Sequence, residues 1–159
     1  MSKMIDYIMV GVDGSKPAEV ALDVAIDVAK RYEARLLIIS VYNSPSVPLL
    51  PGMPPYPQIL TDFPTLSPKV PSQIANKLGD LLKEYEERAK KAGVKDVESK
   101  IVTIWDKIGA GLVIEAEKRG VSLIIIGSRG LTGLKRTLLG SVADFVIKNA
   151  HCDVWVVRC

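Results

Sequence analysis

Five short apolar runs, separated by segments of helical spacing or turn residues, constrain this 159-residue chain more than any other feature. They read "MIDYIMVGV" (4–12), "ARLLIISVY" (34–42), "KDVESKIVTI" (95–104), "VSLIIIG" (121–127) and "DVWVVR" (153–158). Near-continuous hydrophobic runs belong to strands covered on both faces, which is the situation of a parallel sheet between two layers of helices. The third run alternates more and is expected at a partly exposed edge. Between the runs, helices are predicted from a Ser15 N-cap to about Tyr32, from about Ser72 to Lys91, from about Lys107 to Arg119, and over "SVADFVIKNA" (141–150). In the first, Leu22, Ala25, Ile26 and Ala29 share one face and Lys16, Glu19, Asp23, Asp27 and Lys30 the other. In the second, Ile74, Leu78, Leu81, Leu82 and Tyr85 are expected to be buried. Glu84–Arg88, Glu86–Lys90 and Glu87–Lys91 pairs are expected on its wet side. Gly93 and Gly120 mark helix ends. Strand–helix alternation with right-handed crossovers gives a single α/β domain over 1–159.

In open sheets of this kind, ligands collect outside the carboxyl ends of the strands, where the strand order reverses. Two strand ends here carry turn glycines: Gly14 after the first, and "GSRGLTGLKRTLLGS" (127–141) after the fourth. If both serve one site, strands one and four are neighbours. The longer stretch holds Gly127, Gly130, Gly133 and Gly140 with Arg129, Lys135 and Arg136. No register of it supplies the G-x-x-x-x-G-K-[ST] loop of a nucleoside triphosphatase. The turn after strand one, "VGVDGSKP", does not match the G-x-G-x-x-G of dinucleotide binding. What remains is a loop that brings backbone N–H groups close to an anion and leads into a helix whose positive end helps to hold it. Ser141 would add a hydroxyl and an amide at the helix start. A polyphosphate fits this better than a neutral ligand, and a glycine-rich turn without a ligand is the alternative.

Other classes are disfavoured. The formal charge is +3 and the basic residues are scattered among acids, which does not make a nucleic-acid surface. The longest apolar runs fall far short of a membrane span. No signal peptide fits the N-terminus, so a cytoplasmic protein is expected. The single histidine, His151, reads as a turn residue before the last strand. Cys152 and Cys159 bracket that strand, roughly 23 Å apart if it is extended, too far to bridge. Residues 45–71 hold nine of the ten prolines together with Leu49, Leu50, Met53, Tyr56, Ile59, Leu60, Phe63 and Leu66. Regular structure is not expected there. The segment, a Pro-rich insertion at about 44–71, is either a loop packed on its own domain or a lid or partner-docking arm.

Gly127-x-x-Gly130, nine residues, then Gly140-Ser141 resembles the nucleotide motif of the ATP-binding universal stress proteins. "VGVDGS" and "VWVVR" are similar to the other ends of that family, so the likeness spans the chain apart from the proline segment. The resemblance implies a Rossmann-like five-stranded sheet ordered 3-2-1-4-5. It implies that Asp13 and Val41 contact adenine and that the backbone around Gly11 and Val12 lies near the ribose. Gly127, Ser128, Arg129, Gly130, Gly133, Gly140, Ser141, Val142 and Ala143 would surround the phosphates, with Mg2+ or Mn2+ bridging them as hard cations do. The chain then reads as an ATP-binding switch in a stress response, at most a weak ATPase. A structural or chaperone-like dimer without nucleotide, and a binder of AMP or cyclic AMP, are the alternatives. With all four of "VWVV" apolar, both faces of strand five are expected to be covered. A homodimer is expected through that strand (153–158), which the implied order puts at a sheet edge. Opposed residues of such a two-fold pairing differ by an even number in sequence, and the cysteines differ by seven, so no disulfide is expected between copies.

Overall fold

The five runs become five parallel strands, of which the central ones bury both of their faces. In the computed structural model, which describes residues 4–44, 70–129 and 139–158, these are β1 (Tyr7–Gly11), β2 (Arg35–Asn43), β3 (Val97–Ile104), β4 (Leu123–Gly127) and β5 (Asp153–Val157). Helices α1 (Lys16–Tyr32), α2 (Ser72–Ala92), α3 (Ile108–Arg119) and α4 (Ser141–Asn149) alternate with them. The sheet order is β3-β2-β1-β4-β5, as expected, with β1 hydrogen-bonded to β2 on one side and β4 on the other. The order therefore reverses between β1 and β4. His151 lies exposed in the bend before β5, and most of the proline segment lies outside the described residues.

Side chains alternate across the sheet into two cores. Ile8, Val10, Leu36, Ile38, Leu123 and Ile125 pack under α1 and α2 against Leu22, Ala25, Leu82 and Tyr85. Met9, Leu37, Ile39, Ile124 and Ile126 pack under α3 and α4 against Leu112, Ala116, Ala143 and Val146. Each fully buried Ile or Leu contributes on the order of 1.5–3 kcal/mol to folding, so the central strands hold the fold together. Strand β3, at the edge, is only partly buried along its length, as its alternation predicts.

The element ends have local causes. Ser15 Oγ accepts a hydrogen bond from the Ala18 amide at 3.3 Å and caps α1. Gly93 and Gly120 close α2 and α3 in the left-handed conformation. Two expectations about α2 are corrected. Ile74 is 37% exposed and Leu78 only half-buried, and neither packs into the core beneath α2. The Glu86–Lys90 pair forms at 2.8 Å, but Arg88 reaches across to Asp23 of α1 at 2.6 Å instead of pairing along its own helix. A third correction concerns β5: Trp155 is 41% exposed, although Val157 on its own face packs against the α1 core and Val154 and Val156 pack on the opposite face.

Candidate functional site

The carboxyl ends of β1, β2 and β4 open into a cleft of about 450 Å3, within the range of small-molecule sites. Gly11, Val12 and Asp13 from the end of β1, Ile39 to Tyr42 from β2, and Ile126 and Gly127 from β4 line it. Gly140, Ser141, Val142 and Ala143 at the start of α4 form one wall. Ile74 and Leu78 of α2 and Ile108 and Leu112 of α3 line the rest.

The polar end is built largely by backbone. The Ser128 amide donates to the Val157 carbonyl at 2.9 Å, and the Gly140 amide donates to the Ser128 carbonyl at 2.7 Å. These two bonds tie the ends of the glycine stretch together across β4 and β5. Gly140 is then the N-cap of α4 and offers no side-chain cap, while its carbonyl receives the first helical bond from the Asp144 amide at 2.9 Å. The amides of Ser141, Val142 and Ala143 have no hydrogen-bond partner among the described residues. Uncapped N–H groups at the positive end of a helix dipole are a ready acceptor site for negative oxygens.

The glycines at the two ends of the stretch serve the protein's own backbone. A Cβ on Gly127 would lie 3.0 Å from the Pro17 carbonyl oxygen, and one on Gly140 would lie 3.1 Å from the Ser128 carbonyl oxygen. The chain can close the loop over β4 only because both positions lack a side chain. Asp13 lines the cleft and also holds the turn into α1, its Oδ1 accepting from the Ser15 amide at 2.9 Å. Its turn role and its place in the cleft coexist.

Of the residues singled out from sequence, the structure brings Gly11, Val12, Asp13, Val41, Gly127, Arg129, Gly140, Ser141, Val142 and Ala143 to the cleft. Ser128 is not among the residues that line the cleft; its amide and carbonyl make the two bonds that tie β4 to β5 and to the start of α4. Gly130 and Gly133, like Lys135 and Arg136, lie outside the described residues. Sequence reasoning missed the apolar half, namely Ile39, Ile108, Leu112 and Ile126, and assigned Ile74 and Leu78 to the core. The available signal was position: Ile74 and Leu78 begin the helix that follows the proline run. It also missed Ser40 and Tyr42. Among the described residues no three His, Cys, Asp or Glu side chains gather to hold a metal ion, and Asp13 is the one carboxylate lining the cleft.

A model of the universal stress protein family matches residues 4–158. This chain belongs to the universal stress protein family. A protein of Staphylococcus haemolyticus that carries a universal stress protein name is 32% identical over 161 aligned positions, covering 98% of this chain and 87% of that one. Among solved structures, the universal stress protein UspA of Lactobacillus plantarum superposes with a TM-score of 0.77 at 21% identity, covering 99% of this chain and 100% of that one, and shares the fold. A universal stress protein solved in complex with cAMP superposes with a TM-score of 0.68 at 27% identity, with 97% of each chain covered. Family membership accounts for the 3-2-1-4-5 sheet and for reversal of strand order at the site. Among the described residues no helix is long and apolar enough to cross a membrane.

Proposed function

We propose that this universal stress protein binds an adenine nucleotide, with ATP as the working ligand, and that the bound nucleotide sets the protein's state in a stress response. The observation that carries the reading is the pairing of opposite chemistries in one cleft. The unpartnered amides of Ser141, Val142 and Ala143 follow β4 at one end and Val41 on β2 lies at the other, with apolar Ile74, Leu78 and Ile108 also lining the cleft. Strands β2 and β4 are separated by β1 alone, so these ends lie two strand spacings apart, roughly 10 Å. A planar base against β2 and phosphates against α4 use both. The structural relative with cAMP bound supports an adenine ligand. Arg129, also at the cleft, adds a cation on the phosphate side.

Phosphates can carry Mg2+ or Mn2+ into the cleft, where the ion would neutralise charge between them. With one carboxylate lining the cleft among the described residues, the phosphates supply most of its ligands, and Asp13 is the side chain within the site that could join them. Fast phosphoryl transfer also requires a positioned base or water-orienting group. Asp13 is already committed through one oxygen to the Ser15 amide. Turnover is therefore expected to be far below the ~10 per second typical of enzymes. A second copy is proposed to pair along β5, an edge strand whose Trp155 stands open in the single chain.

Titration calorimetry with ATP, on the protein and on Ser141→Asp, tests the reading. A carboxylate at the first turn favours the helix dipole, so the variant should melt at the same temperature or higher. The same charge repels phosphate, and ATP should bind at least about tenfold more weakly, a change of ~1.4 kcal/mol. Equal affinity in the two proteins would remove the phosphates from α4.

A further inference from the structure

Among the described residues three polar or charged side chains are buried: Ser15, Ser40 and Glu115. Ser15 caps α1, and Glu115 is paired with Lys100 and Arg119. Ser40, on β2, is 3% exposed and makes no side-chain hydrogen bond among the described residues. It lines the cleft. No fully enclosed polar side-chain atom among the described residues is left without a partner. The Ser40 hydroxyl is therefore not sealed in apolar packing and meets the cleft.

An unpartnered hydroxyl at a buried strand position costs stability, and β-branched aliphatic residues fill most of the neighbouring positions of β2. The cost is recovered if a ligand supplies the missing partner. Position narrows which part of a ligand that is. Ser40 lies on β2 between Ile39 and Val41, on the α1–α2 face with Ile38, and two strands from the β4–α4 junction whose amides are unpartnered among the described residues. It is therefore far from the phosphates and close to the apolar walls. We propose that Ser40 Oγ hydrogen-bonds the polar edge of the purine base and is a specificity-determining residue of this cleft. A hydroxyl can donate or accept, so it can meet either an exocyclic amine or a ring nitrogen. Apolar side chains around it favour burial of a flat ring, and Ser40 requires that the ring have a polar edge. The inference rests on the adenine-nucleotide reading.

The test compares ATP with inorganic tripolyphosphate, which has the charge and no base, on the protein and on Ser40→Ala and Ser40→Cys. Affinities come from calorimetry and melting temperatures from the ligand-free proteins. ATP should bind three- to tenfold more weakly to Ser40→Ala, the fold-change of one lost neutral hydrogen bond. Tripolyphosphate affinity should not change. The ligand-free variant should melt at the same temperature or higher, since the hydroxyl it loses had no partner. Ser40→Cys, close in shape and a weak hydrogen-bonder, should follow Ser40→Ala. Undiminished ATP affinity in both variants would overturn the role of Ser40 while leaving the nucleotide reading standing. Equal losses for ATP and tripolyphosphate would reduce Ser40 to a structural residue. Failure of the unaltered protein to bind ATP at all would overturn the parent reading, and this inference with it.

Discussion

Gly127 and Gly140 are small because of the chain itself. With the carbonyl oxygens of Pro17 and Ser128 only 3.0 and 3.1 Å from where their Cβ atoms would stand, any side chain must push backbone. Gly127→Ala is expected to lower stability by about 1–3 kcal/mol, the usual cost of forcing atoms into a packed region. Gly11→Ala is the contrast, because its Cβ would meet the methyl groups of Leu112 at 3.2 Å, and a flexible side chain can yield. Urea unfolding of both variants checks this; equal losses would show that the backbone contact at Gly127 is not the constraint. The spacing of these glycines is legible in the sequence, and it points to the β4–α4 junction, beside which the cleft opens. What each glycine lies against was not legible, because Pro17 and Ser128 reach them only through the fold. Asp13 carries the same lesson, since a turn-capping residue and a cleft residue have one sequence appearance.

At the scale of elements, α3 is held to the edge strand by charge as well as by packing. Arg119 donates to Glu115 Oε1 at 2.7 Å and to both carboxylate oxygens of Glu98 at 3.1 Å, while Lys100 of β3 donates to Glu115 at 3.1 Å. Burial pushes the Glu115 carboxyl up, but the hydrogen bonds and charges of Arg119 and Lys100 outweigh it and hold the group below its ordinary value of 4.5. A folded pKa below the unfolded one contributes stability above pH 4.5, and that contribution is lost as pH falls through the folded value. Glu115→Gln should therefore cost stability at neutral pH, about 1–3 kcal/mol for a buried group whose charged partners remain. It should also flatten the acid limb of a stability–pH curve below 4.5 relative to the unaltered protein. Parallel acid limbs would contradict the pairing. Element types and order were readable because strand and helix periods differ, and the observed helices start and stop within a residue or so of the sequence reading. Partners between elements were not readable. Arg88 chooses Asp23 over its own helix, and Ile74 and Leu78 turn a core-like stripe into a cleft wall, since periodicity shows which face is apolar and not what that face meets.

In the whole molecule, labour is divided between the two ends of the sheet. The amino end carries the charged network around Glu115, Arg119, Glu98 and Tyr7, and the carboxyl end carries the cleft. The proposed pairing of β5 with a second copy would extend the sheet on the far side of β4 from β1 and β2. The proposed dimer should sediment unchanged with or without thiol reductant, Cys152 being free; dissociation by reductant would contradict it. The central claim is that three backbone amides at the start of α4 receive the phosphates of an adenine nucleotide. An amide-resolved NMR titration with ATP tests it most directly. Ser141, Val142 and Ala143 should shift together at the same half-saturation, with Val41 on β2 responding to ATP and not to tripolyphosphate. Saturable ATP binding that leaves the three α4 amides unmoved would contradict the account.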